Sequence, residues 1–338
     1  MTQPTVVVSL DLELSWGSFD LGFDEELLKM ARWTHDIGAP NLLGHLTRNG
    51  LSASWAIVGA MMRPSLPDTS GLPEVRYPHF PKPWFSCLPR EGSELTHPEW
   101  FGASLVNMIK SAMPEQEIGF HSFSHAPFIS PGMTRERAIA EYRSCKQAAE
   151  ELGIPKTCFV FPRNLVAYLR DLRDAGFTCF RDVDQLPLRS PNRKLRSFYM
   201  VMADFCGLAP LLVEPSLKEG IVSIPGSLLI RCEAGWRKYI PDASRLRRLR
   251  KGLERVRRMG GVFHAWLHPE NLYNEWPRLE NVVARFLEEL GALVRAGELR
   301  CLTMGQLADE FLRNSSAKPD WNQTSVHAQI HETNCATV

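Results

Sequence analysis

Val6-Val7-Val8-Ser9-Leu10-Asp11-Leu12-Glu13 is the stretch on which the fold turns. The run from Val6 to Leu10 is continuous and rich in β-branched side chains, the pattern of a strand covered on both faces in a parallel sheet under helices. Asp11 falls where such a strand ends, at the edge where parallel α/β folds gather their functional groups. Residues two apart on a strand share a side, so Asp11 and Glu13 can face one pocket.

Outward from this strand the same unit recurs. Residues 25–49 read as helical at both ends, with Leu27, Leu28, Leu42, Leu43 and Leu46 as the apolar positions and Asn49-Gly50 as the stop. Residues 52–58 follow as a strand. A helix over 98–113 leads to Glu117-Ile118-Gly119-Phe120, a short apolar strand that delivers His121. A helix over 134–152, stopped by Gly153 and Pro155, precedes a strand at 157–161. Further helices are expected at 165–175, 243–259, 278–296 and 304–312, and strands at 177–180, 261–267 and 299–303. The alternation predicts an α/β fold on a parallel sheet, closed as a barrel or open and doubly wound.

Residues 61–98, crowded with Pro, Gly, Trp and His, lack a period and read as an insertion or lid. Residues 186–243 are a second insertion. The Arg and Lys of the helix after it read as a solvated face. The expectation is one domain over residues 1–313 and a polar, disordered tail at 314–338.

The chain has 338 residues, 44% of them apolar, enough for a large core. Its 39 basic and 38 acidic side chains nearly cancel, which speaks against nucleic acid as a partner. No cationic, apolar leader follows Met1, and no apolar run reaches the roughly 18–20 residues of a membrane span. A cytoplasmic protein without membrane insertion is expected, with homo-oligomerisation left open. Its 8 cysteines form no C-x-x-C pair and read as reduced thiols.

The chemistry concentrates at strand ends. His121-Ser122-Phe123-Ser124-His125 sets two imidazoles four apart, and on a helical turn both would lie on one face at a metal's span. Two imidazoles and one carboxylate are a usual hydrolytic zinc set, and the second carboxylate is then free to take a proton from water whose pKa the metal lowers to roughly 7. His268, following the apolar run from Phe263 to Leu267, is placed as a general acid for a departing amine. His264 lies inside that strand and reads as structural. Arg163, in Phe161-Pro162-Arg163-Asn164, is a candidate to orient or depress the pKa of a buried carboxylate. Asn164, Trp84 and Asn271 are candidate substrate contacts.

Taken in order, Asp11-x-Glu13, His121-Ser-x-x-His125, Pro162-Arg163 and Leu267-His268 resemble the motifs of the polysaccharide deacetylase, or NodB-like, family. The resemblance spans about residues 6–312 and implies a distorted (β/α) barrel of about seven strands. It implies Asp11 as base, Glu13, His121 and His125 as metal ligands, Arg163 beside the base and His268 as catalytic acid. The metal is zinc by default, with cobalt, manganese, nickel or iron admitted by the same ligands. The activity implied is removal of an N-acyl group, N-acetyl first, from an amino sugar or glycan precursor. Hydrolysis of a small or cyclic amide is the alternative, and a metal-free scaffold the rival outside enzymes. The chain departs from the family pattern in three places. Its Asp-x-Glu replaces an adjacent Asp-Asp, Arg163 follows rather than precedes its proline, and no tryptophan accompanies Arg181-Asp182-Val183-Asp184.

Overall fold

The computed structural model describes residues 3–316 apart from 66–68, 70, 90, 186–191 and 232–234. Its strands are β1 (Thr5–Leu12), β2 (Ser54–Ile57), β3 (Glu117–Phe120), β4 (Cys158–Val160), β5 (Cys179–Asp182), β6 (Ser216–Lys218), β7 (Ile221–Pro225), β8 (Leu228–Leu229), β9 (Val262–Leu267) and β10 (Arg300–Cys301). The helices are α1 (Glu25–Trp33), α2 (Ala39–Arg48), α3 (Ala103–Lys110), α4 (Arg135–Leu152), α5 (Leu169–Asp174), α6 (Arg193–Cys206), α7 (Asp242–Met259), α8 (Arg278–Arg295) and α9 (Met304–Ser316).

The sheet runs β6-β7-β5-β4-β3-β2-β1-β9-β8, with β10 paired to the start of β1. Only β6, antiparallel to β7, departs from a parallel arrangement. β7 passes through Gly226 and Ser227 straight into β8, which pairs with β9 at the far end of the path, so one bent strand joins the two margins. This is the distorted (β/α) barrel the motifs imply.

Every residue of β1 is buried, on two different surfaces. Val6, Val8, Leu10 and Leu12 pack outward in the main core with residues such as Leu42 of α2, Leu249 of α7 and Phe286 of α8. Val7 points into the barrel with Cys158, Cys179, Val222 and Ile224, where Met304, Leu307 and Ala308 of α9 close the floor. Three side chains anchor that plug. Glu117 accepts the Gly305 N–H at 3.0 Å and the Thr157 hydroxyl at 2.6 Å, and the Met304 N–H donates to Ser54 Oγ at 2.8 Å. A carboxylate at a helix N-terminus is favoured by the exposed N–H groups and the dipole. All three partners lie at the N-terminal ends of strands, so the barrel is shut at the end opposite Asp11.

The expected elements are present with shifted ends. The two helical halves of residues 25–49 are joined by a π-helical turn at Thr34–Gly38. The described part of 186–243 holds α6 and β6 to β8, so a strand of the barrel itself lies inside the expected insertion. Cys87, Cys145, Cys158, Cys179, Cys206 and Cys301 are free thiols. α9 runs on to Ser316, so the first three residues of the tail expected at 314–338 are helical, and the rest, from 317 onward, lies outside the described residues. No helix among those described is long and apolar enough to cross a membrane.

Candidate active site

Alternation along β1 turns Ser9 and Asp11 inward, above Val7. Asp11 is 1% exposed, and Arg181 of β5 meets it with two parallel hydrogen bonds, Nη1 to Oδ1 at 2.6 Å and Nη2 to Oδ2 at 2.5 Å. Burial alone raises the Asp11 carboxyl; Arg181, then His121 and His268, outweigh it and hold the group below the usual aspartate range. The guanidinium lies 3.8 Å over the Trp266 ring, and Trp266 Nε1 donates to Asp184 Oδ1 at 2.9 Å. Below Asp11, His264 Nε2 meets Ser9 Oγ at 2.8 Å and its Nδ1 meets the Pro225 carbonyl at 3.0 Å. Burial pushes His264 down to about 3, so it is a neutral structural group.

Glu13 stands just beyond β1. Its Oε1 lies 2.8 Å from His121 Nε2, 3.3 Å from His125 Nε2 and 3.3 Å from His268 Nε2. Glu13, His121 and His125 each offer a ligand atom, all within 4.8 Å of one another. His121 Nδ1 donates to the Val160 carbonyl at 2.8 Å, which fixes the ring and aims Nε2 at the Glu13 carboxylate. His125 is 1% exposed, yet neither ring nitrogen has a hydrogen-bond partner, since Glu13 lies within reach of Nε2 but out of line. Burial lowers its pKa, against the pull of Glu13. A neutral imidazole with unused nitrogens beside a carboxylate and a second imidazole fits a divalent cation.

The two histidines do not ride on a helical turn. They sit in an irregular loop in which Ser122 and His125 adopt left-handed φ of 54° and 57°. A buried carboxylate from α4 holds that loop. Glu141 Oε2 accepts the N–H of Phe123 at 3.0 Å and of Ser124 at 2.9 Å, while Arg137 pairs with Glu141 Oε1 at 2.7 Å. The insertion braces the same loop from outside, with Trp84 Nε1 donating to the Ser124 carbonyl at 2.8 Å and the Tyr77 hydroxyl to that of Pro127.

His268 leaves β9 at the same end, 3.6 Å from Asp11 Oδ2. Burial opposes its charge, but Glu13 and then Asp11 raise it to about 9. Two residues on, Glu270 Oε1 accepts the N–H groups of Glu13 and Leu14. Burial, then Glu13, pushes Glu270 up to about 7.

No family model matches this sequence, and no curated protein matches it significantly. Solved structures do. A protein from Mycobacterium smegmatis named a polysaccharide deacetylase superposes with a TM-score of 0.61 at 14% identity, covering 96% of this chain and 94% of that one. Another so named, from Pseudomonas aeruginosa PAO1, gives 0.59 at 11% identity, covering 91% of each chain. The chain has the NodB-like polysaccharide deacetylase fold. The PuuE allantoinase shares it, with a TM-score of 0.58 at 12% identity and coverage of 91% and 90%.

Against that deacetylase fold, the residues expected from sequence divide in two. Asp11, Glu13, His121, His125 and His268 are brought together. Arg163 is not beside Asp11: its Nη2 donates to both oxygens of Asp20, at 2.7 and 2.6 Å, and His79 holds the same carboxylate at 2.8 Å. Arg163 and Asn164 both adopt left-handed φ, 57° and 55°, in the turn leaving β4, and the guanidinium goes to the rim. Arg181 takes the place expected of it. Asn164 touches that arginine at 3.3 Å, and Asn271 reaches His268 Nδ1 at 3.5 Å. Trp84, expected to touch substrate, is 1% exposed and packs against Phe19, Tyr77 and Phe80. Trp100 is likewise buried, edge-on to Trp16. The sequence names Arg181 within a family-like stretch but not as the partner of Asp11, and it gives no role to Trp266, Glu141 or Glu270. The signal for Arg181 was a charge inside the apolar run Cys179-Phe180-Arg181, where only a paired cation is tolerated.

Proposed function

We propose that the chain is a metal-dependent hydrolase that removes an N-acyl group, N-acetyl first, from an amino sugar or glycan precursor. The convergence of Glu13, His121 and His125 with Asp11 and His268 carries this reading. Glu13, His121 and His125 would hold the cation, zinc by default, with cobalt, manganese, nickel or iron suited to the same donors. When bound, such an ion polarises the acyl carbonyl and lowers the pKa of water to roughly 7.

The chain's own groups do the rest. Asp11, kept ionised by Arg181, takes the proton of the attacking water. The guanidinium uses one lone pair on each carboxylate oxygen and leaves another on each. His268, held charged by Glu13 and Asp11, gives the Nε2 proton to the departing amine nitrogen. Arg181 and its stack on Trp266 fix the direction of the base. A metal-free scaffold would give no account of a buried His125 whose Nδ1 has no partner and whose Nε2 has only a poorly aligned Glu13 beside it.

One observation favours a second reading. Trp84, the aromatic side chain expected to touch substrate, is spent on packing against Phe19, Tyr77 and Phe80. A small or cyclic amide, which needs no stacking platform, is therefore the alternative substrate, and an allantoinase shares the fold. Zinc-loaded protein assayed on N-acetylated amino sugars, nucleotide sugars and cyclic imides decides between them. Acetate release that a chelator abolishes is expected, ring opening alone selects the second reading, and turnover indifferent to the chelator contradicts both.

A further inference from the structure

Buried carboxylates that accept no side-chain donor need a reason, and Glu270 is one. It is 7% exposed, and its Oε1 accepts two successive backbone N–H groups, Glu13 at 2.9 Å and Leu14 at 2.6 Å. Glu13 is right-handed at φ −118°, ψ −29°, and Leu14 is left-handed at φ 50°. That pair of conformations turns consecutive N–H groups inward as a small concavity suited to an oxygen anion. The next N–H, of Ser15, goes to the Glu99 carbonyl at 3.0 Å. A leucine with positive φ is rare and persists only where its surroundings hold it.

This turn is where the chain departs from an adjacent carboxylate pair. With Leu12 between them, Asp11 and Glu13 share one side of β1, and a straight extension beyond Glu13 would carry the backbone on over the site. Instead the chain turns right-handed then left-handed directly after the Glu13 Cα, which leads the backbone away from the site while Oε1 stands 2.8 Å from His121 Nε2. Glu270 belongs to the segment that bears His268, so one carboxylate ties the end of β1 to the end of β9. Glu141 does the same for the histidine loop through the N–H groups of Phe123 and Ser124.

We infer that Glu270 is the positioning residue that makes Asp-x-Glu a working metal site, by clamping the Glu13-Leu14 turn through its carboxylate oxygen. The inference rests on Glu13 being a metal ligand. It acts through backbone hydrogen bonds, so an amide oxygen in place of the carboxylate preserves it and loss of the oxygen does not.

The test is zinc affinity of the metal-stripped full chain, measured by competition with a chromophoric chelator. Glu270→Ala is expected to weaken zinc binding roughly 10- to 100-fold, and Glu270→Gln to stay within a few-fold of the native chain. Glu270→Asp, which keeps the charge but is one methylene too short to span both N–H groups, is expected to resemble the alanine variant and serves if that one fails to fold. Unchanged affinity in the alanine or aspartate variant, while Glu13→Ala loses it, overturns the inference and leaves the proposed function standing. A glutamine variant as weak as the alanine one also overturns it. A native chain that takes up no zinc overturns the metal reading and this inference with it.

Discussion

At the scale of single residues, two arginines that look alike in sequence have different work. Arg181→Ala strands the Asp11 charge in a site 1% exposed, and removing one partner of such a pair costs about 3–5 kcal/mol. The expected outcome is that Arg181→Ala loses turnover and unfolds at lower urea, whereas Arg163→Ala, whose partly buried guanidinium serves a buried Asp20 that His79 also holds, leaves the pH dependence of the base unchanged. Equal losses in both would contradict the assignment of Arg181. His264 gives a second prediction at this scale. It is neutral in the fold, with a pKa of about 3, and takes a proton near 6.5 when unfolded. Its depressed value means that stability is full above about pH 6.5 and falls, by about 1.4 kcal/mol per pH unit from this group, as pH drops towards 3. Urea unfolding should therefore show a shallower acid slope for His264→Gln than for the native chain; identical slopes would refute the neutral assignment. The ligands and His268 were legible because an imidazole or carboxylate just after an apolar run stands where a parallel sheet presents side chains to its pocket. Arg163 misled because Pro162-Arg163 sits at a strand end as well, and nothing local says that the turn there is left-handed and sends the side chain to Asp20.

At the scale of elements, the site depends on strands packed more closely than side chains ordinarily allow. Gly119 of β3 lies two residues before His121, and a Cβ there would stand 2.1 Å from Cys158 Sγ and 2.8 Å from the Cys158 carbonyl of β4. Gly119→Ala should push β3 and β4 apart, cost about 1–3 kcal/mol in thermal or urea unfolding, and weaken metal binding by displacing His121. A variant of native stability and affinity would show that the two strands are free to separate. β1, β3 and β9 could be read from sequence because their apolar runs are long and end on chemistry. β7 could not, since Ile221–Pro225 is five residues long, closes on a proline and lies amid a stretch of no clear period. The four-residue histidine spacing was assigned to a helical turn. The structure reaches the same proximity through a loop with two left-handed residues, which needs Glu141 to hold it, and that partner lies 16 positions from His125 in sequence.

Across the whole molecule, the barrel separates its tasks along its axis. α9 and Glu117 shut the floor, an apolar layer of Val7, Cys158, Cys179, Val222 and Ile224 fills the base, and the polar cluster stands at the open end. Strand–helix alternation made the parallel barrel legible. The insertion's packing was not, because its aromatic side chains, Trp84 and Tyr77 among them, are equally compatible with lining a groove and with bracing the histidine loop. The central claim is that this end of the barrel holds one divalent cation between Glu13, His121 and His125. Calorimetric titration of metal-stripped native chain and of His125→Ala with zinc tests it most directly. One tight site per native chain is expected, with a loss of at least tenfold in affinity in the variant; a native chain without a site, or a variant that binds as tightly, would contradict it.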